Sequence, residues 1–167
     1  MVARPVIRPL CSGEAPPWRL LLDADPSRKD VSKHLKGGQC YVASLDGAIV
    51  GEFVLVKTRP RAAEVMNIAV APRWRGRGLG RKLIRRAARL AREGGARRLD
   101  VGTGNCSLPE IAFYQKCGFR IVGVRRNYFA RRPYQSIREN GIPLRDMVRL
   151  TMDLLQAARV AARRRRG

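Results

Sequence analysis

Histidine is almost absent from this chain, with His34 the only one in 167 residues. A Ser-His-Asp triad, a Cys-His pair or a histidine-rich metal centre would have to be built on that one side chain, which reads as surface or satisfied packing at a helix end. The four cysteines, Cys11, Cys40, Cys106 and Cys117, are dispersed without a C-x-x-C pair. Neither a metal site nor a disulfide framework is expected from them. No apolar run approaches the roughly 20 residues of a membrane-spanning helix. The N-terminus carries prolines and charges where a signal peptide would have its apolar core, so no membrane partner is expected and the cytoplasm is the default compartment. Acidic residues are scarce too, 13 against 35 Lys plus Arg, for a formal charge of +22. Such an excess attracts nucleic acid or acidic ligands. The arginines are spread along the whole chain, however, which speaks for compositional bias over specific nucleic-acid recognition.

What is present suits one α/β domain over residues 1–155, followed by a basic tail at 156–167 that ends in Arg163 to Arg166. The most informative stretch is Ile68 to Leu83, IAVAPRWRGRGLGRKL. An apolar alternating segment runs into Pro72, glycines follow at 76, 78 and 80, and a helical pattern begins at once. Strand, glycine-rich turn and helix in that order leave backbone N–H groups exposed at a helix start, which is phosphate-binding geometry. The spacing G-x-G-x-G is not the dinucleotide fingerprint G-x-G-x-x-G, and no G-x-x-x-x-G-K-[ST] loop exists in the chain.

Taken in order, Val2 to Arg8 reads as a strand, Trp18 to Leu22 as a short helix, and Ser27 as the cap of a second helix running to about Leu35. Strands over 39–44 and 48–57 flank Asp46-Gly47, a hairpin signal. A turn over 58–62 leads to a strand at 64–70, on which Glu64, Met66, Ile68 and Val70 share one face. Leu79, Leu83, Ile84, Ala87, Ala88 and Leu90 recur at helical spacing. A strand at 98–103 precedes Ser107-x-x-Glu110, which predicts a capping box for the helix carrying Tyr114. Strands at 119–124 and 147–154 enclose a long connection, Arg125 to Arg145. The order of elements predicts a mixed sheet with few βαβ units.

The phrase VAPRWRGRGLGRKLI, with Asn105 near the end of the next strand and then FYQKCGF, resembles the GCN5-related N-acetyltransferase (GNAT) superfamily. Arg75, Gly78 and Gly80 match its Gln/Arg-x-x-Gly-x-Gly/Ala pattern. Asn105, Tyr114, Gly118 and Phe119 match the second motif, and the later segments resemble a poorly characterised bacterial branch. The resemblance implies a mostly antiparallel central sheet flanked by helices and splayed between its fourth and fifth strands. It implies acetyl-CoA as cosubstrate, its pyrophosphate held by amides of Arg75, Gly76, Arg77, Gly78, Leu79 and Gly80. Backbone at Ile68 and Val70 would pair with the pantetheine arm, and Asn105, with Ser107 sharing the role, would contact it. Tyr114 would protonate the departing thiolate, and Glu64 is the candidate base or water-positioner. The acceptor, a small-molecule or peptide amine, would meet Tyr128, Tyr134, Glu139 and Asn140; a basic surface favours a neutral or acidic one. A homodimer is compatible with the family. Two other readings stay open at this point: a non-catalytic acetyl-CoA-binding regulatory module, and a basic nucleic-acid or ribosome-associated protein.

Overall fold

In the computed structural model, which describes residues 5–156, the Asp46-Gly47 signal is a two-residue turn. Both residues take left-handed φ, 47° and 78°, as the twist of a tight hairpin requires. The turn joins β2 (Gln39–Leu45) to β3 (Ala48–Arg59), with Leu45 opposite Ala48.

The chain falls into two compact units, one taking residues up to 58 and 64–90, the other 59–63 and everything from Ala91 onward. The first holds β1 (Val6–Pro9), α1 (Trp18–Ala24), α2 (Arg28–Gly37), β2, β3 up to Thr58, most of β4 (Ala62–Val70), and all but the last turn of α3 (Leu79–Glu93). Its strands lie in the order β1-β2-β3-β4, with β1–β2 and β2–β3 antiparallel. Leu21 and Val31 from the two helices meet Cys40, Val42 and Val54 from the strands in one buried cluster. Ser27 caps α2 as its sequence position predicts, its hydroxyl accepting the Asp30 N–H at 3.2 Å. On β3, a Cβ at Gly51 would meet the Ala69 carbonyl and Leu83 Cδ1, each at 3.2 Å. Glycine there lets α3 settle close on the strand. The face α3 buries is Leu79, Leu83, Ile84, Ala87 and Ala91, with Ala88 and Leu90 at its margin.

In the second unit β9 (Met147–Asp153) lies between β5 (Arg98–Gly104) and β6 (Arg120–Arg125), antiparallel to both, with α4 (Leu108–Lys116) connecting β5 to β6. The long connection is built rather than irregular. It contains a 3-10 turn, Tyr134–Ser136, and a small hairpin of β7 (Arg138–Glu139) and β8 (Ile142–Pro143).

Three expectations need correction. The turn over 58–62 shrinks to two residues because Arg61 adopts φ 61°, and β3 and β4 gain the residues it gives up. The capping box at Ser107 does not form: Ser107 is the N-cap of α4 but its side chain makes no cap hydrogen bond, and its backbone N–H, which Glu110 would take in a capping box, goes to the Gly104 carbonyl at 3.1 Å. The first strand is seen from Val6 to Pro9, and its expected start at Val2 lies outside the described residues, as does the basic tail beyond Gln156.

Candidate active site

The glycine-rich turn opens α3 as its spacing predicts. Gly76 and Gly78 hold φ of 71° and 79°, and nothing lies within 4 Å of where a Cβ would stand on either. Left-handed backbone with open space in front of it is a site for glycine alone. The N–H groups of Gly76, Arg77, Gly78, Leu79 and Gly80 donate to no acceptor among the described residues. Five unspent donors at the positive end of a 15-residue helix form a cradle for an anion of pyrophosphate size. The Arg75 side chain fixes the near side of this loop. Its Nε donates to the Val70 carbonyl at 3.0 Å, and its Nη2 pairs with Asp23 on α1. Arg77 lies over the Trp74 ring, 5.2 Å from its centre, and keeps a second positive charge at the loop.

On β4 the alternation is as read. Val65, Asn67 and Ala69 are buried, while Glu64, Met66, Ile68 and Val70 are half-buried on the other face. Glu64 lies close enough to act electrostatically on His34. His34 is not a plain surface residue. Its Nδ1 is buried without a hydrogen-bond partner, and burial lowers its pKa against the opposing pull of Asp25, Asp30 and Glu64. Glu52, on β3, was not singled out from the sequence. It is fully buried, neither carboxylate oxygen has a hydrogen-bond partner, and burial pushes its pKa up to about 8, the Ala69 amide pulling back only weakly. The available signal was a charged residue at 52 between Val50 and Val54 on one face of the otherwise apolar run from Ala48 to Val56.

In the second unit the β5–α4 junction is locked to the β7–β8 hairpin. Asn105 Oδ1 accepts the backbone N–H of both Arg145 and Asp146 at 2.9 Å, and its Nδ2 donates to the Pro143 carbonyl at 3.1 Å. The Ser107 hydroxyl donates to Glu139 Oε2 at 2.9 Å, and Asn140 Nδ2 donates to the Cys106 carbonyl at 2.9 Å. The structure thus brings Asn105, Ser107, Glu139 and Asn140 into one hydrogen-bonded junction. Tyr114 is buried on α4, its ring edge-on to Phe119 at 5.7 Å and tilted on Phe113 at 5.4 Å. Tyr128 and Tyr134 flank Phe129, with ring centres 4.9 and 5.0 Å from it.

Comparison with known proteins matches this geometry to a family. The model of the acetyltransferase (GNAT) family matches residues 9–119. An uncharacterized N-acetyltransferase of Bacillus subtilis (strain 168), YvbK, is 44% identical over 137 residues, covering 82% of this chain and 88% of its own length. The chain belongs to the GNAT family. It is an acyl-CoA-dependent N-acetyltransferase with acetyl-CoA as the acyl donor. A solved GNAT acetyltransferase from Elizabethkingia anophelis, with acetyl-CoA bound, superposes with a TM-score of 0.87 at 37% identity, covering 90% of this chain and 98% of that one. The IAA acetyltransferase from Bacillus cereus ATCC 14579 gives 0.84 at 46% identity, over 89% and 99%. The mixed, mostly antiparallel sheet flanked by helices that the sequence implied is the fold of these GNAT neighbours.

The cradle residues 76–80 and the Arg75 clip are the parts of this GNAT chain whose chemistry suits the donor. They offer neutral N–H donors and no carboxylate other than Asp23, which Arg75 already holds. Among the described residues no group of three or more His, Cys, Asp or Glu is placed to hold a metal ion, and no helix is long and apolar enough to cross a membrane.

Proposed function

We propose that this enzyme moves the acetyl group of acetyl-CoA to a primary amine of a small molecule or peptide by direct attack within a ternary complex. The observation that carries this reading is the cradle of five open backbone donors at the mouth of α3, with two left-handed glycines and empty space in front of them. Acetyl-CoA supplies an activated thioester, so the protein's task is positioning and proton handling. The amides of Gly76 to Gly80 take the pyrophosphate, while that of Arg75, expected to join them, already donates to the Pro72 carbonyl at 3.2 Å; the main chain at Ile68 and Val70 pairs with the pantetheine arm. Asn105 has spent one of its two Nδ2 hydrogens on Pro143, and the other serves the arm, with Ser107 beside it. The Tyr114 hydroxyl delivers the proton that the departing thiolate needs, and Glu64 receives the amine's proton directly or through water.

A covalent acyl-cysteine route has no support. Cys106 is buried and burial pushes its thiol pKa up, the opposite of what a nucleophile needs. Tyr128, Tyr134, Glu139 and Asn140 form the acceptor side. The reading requires no nucleic-acid partner. Incubation with acetyl-CoA and a panel of amines, following free thiol and N-acetyl product together, tests it. Thiol release that depends on the amine supports the proposal, and acetyl-CoA binding without amine-dependent release would leave only a regulatory module.

A further inference from the structure

The acceptor side carries an imbalance of charge. Between residues 125 and 146 stand six arginines and only two carboxylates, Glu139 and Asp146. Each carboxylate accepts a hydrogen bond within the fold. Glu139 accepts the Ser107 hydroxyl at 2.9 Å, and Asp146 Oδ1 accepts the Asn127 N–H at 2.7 Å. A cationic acceptor would meet two carboxylates set among six arginines in this segment.

Arg125 is the opposite case. Its guanidinium lies over the Tyr128 ring, 4.7 Å from the centre, at the end of β6, and the residue is exposed. Arg131 approaches the same ring at 5.6 Å and the Tyr134 ring at 5.0 Å. Stacking occupies the face of a guanidinium and leaves its in-plane N–H groups pointing outward. None of the Arg125 guanidinium N–H groups meets an acceptor among the described residues. A planar fork of donors, held in orientation by an aromatic ring and lacking a partner, matches an oxyanion with two oxygens to offer.

We infer that the acceptor is an amine that also carries an anionic group, a carboxylate or a phosphate, which Arg125 on its Tyr128 platform receives. The inference rests on the reading of residues 125–145 as the acceptor side of an acetyltransferase, and it narrows the acceptor from amines in general to anionic amines.

The test uses the full-length enzyme, acetyl-CoA and acceptors in matched pairs: tyrosine against tyramine for carboxylate, and phosphoethanolamine against ethanolamine for phosphate. The anionic member of at least one pair should show a kcat/KM at least about tenfold above its twin, as expected for a charge-assisted hydrogen-bonded pair, and which pair does so identifies the anion. Arg125→Ala should collapse that ratio toward one, while Arg125→Lys, which keeps the charge but not the fork, restores it only in part. A wild-type kcat/KM for the anionic member at or below that of its twin in both pairs overturns the inference and leaves acetyl transfer standing. So does an Arg125→Ala effect confined to the KM for acetyl-CoA. Acetylation of no amine at all overturns the acetyltransferase reading and this inference with it.

Discussion

Arg75 and Asp23 tie the glycine-rich loop to the first helix, Arg75 donating through Nη2 to Asp23 while its Nε holds the Val70 carbonyl at 3.0 Å. Both side chains are about half exposed, so the ion pair contributes at most about 1 kcal/mol to stability. Its effect belongs to the shape of the loop. Arg75→Ala should raise the KM for acetyl-CoA about tenfold, equivalent to about 1.4 kcal/mol. Asp23→Asn leaves the Val70 contact in place and should raise it less. Equal effects from the two variants in steady-state kinetics would mean that the Val70 contact is idle.

Gly78 is the sharper test of the cradle. At φ 79° an alanine is strained by about 1–2 kcal/mol, although nothing lies within 4 Å to obstruct its methyl. The methyl group would stand in the open space where the proposed function puts the pyrophosphate. Gly78→Ala should therefore lower the melting temperature modestly and weaken acetyl-CoA binding, measured by calorimetry, far more than stability. Unchanged affinity would place the pyrophosphate elsewhere.

Glu52 makes stability depend on pH. Its folded pKa is about 8, against an ordinary 4.5. Between those values the unfolded chain gives up a proton that the folded chain retains. Stability due to this group therefore falls as pH rises through the window, by up to about 1.4 kcal/mol per pH unit. Glu52→Gln cannot ionise, so its melting temperature should exceed that of the wild type at pH 8 by more than at pH 5. His34, whose pKa is lowered, acts in the other direction below pH 6.5 in both proteins and drops out of the difference. Parallel melting curves would show that Glu52 finds a partner that stabilises its charge.

Ser107 serves as a tether to Glu139 rather than as a cap. Ser107→Ala should change stability by less than the 0.5–2 kcal/mol, roughly, that loss of a working N-cap costs, and its main effect should be a higher KM for the acceptor. A loss near the upper end of that range in chemical denaturation would restore the capping role.

The parts of this protein that the sequence disclosed are those that local chemistry decides. Asp46-Gly47 can form little else than a tight hairpin, Ser27 caps the helix it precedes, and the alternation from Glu64 to Val70 sorts β4 into two faces without help from distant residues. Of the three glycines before Leu83, Gly76 and Gly78 take the left-handed backbone that suits glycine alone, so the turn into α3 was legible from its composition. What stayed hidden depends on partners far along the chain. Ser107-x-x-Glu110 has the pattern of a capping box, but Glu139, 32 residues later, takes the hydroxyl. Asn105 reads as a cofactor contact by resemblance, and only the folded chain shows it also holding Arg145 and Asp146. His34 looks like an exposed helix end until Asp25, Asp30 and Glu64 converge on it. Residues 125–145 look irregular because a two-residue strand such as β7 is too short to show a period.

The most direct test of the central claim is a single-turnover comparison of wild type and Tyr114→Phe with acetyl-CoA and a productive amine, following thiol and N-acetyl product by mass spectrometry. The wild type should form the two in equal amounts. Tyr114→Phe should form them at least about 100-fold more slowly, as loss of a general acid implies, with acetyl-CoA binding intact. Wild-type rates in Tyr114→Phe, or bound acetyl-CoA that yields no product in either protein, would contradict the account.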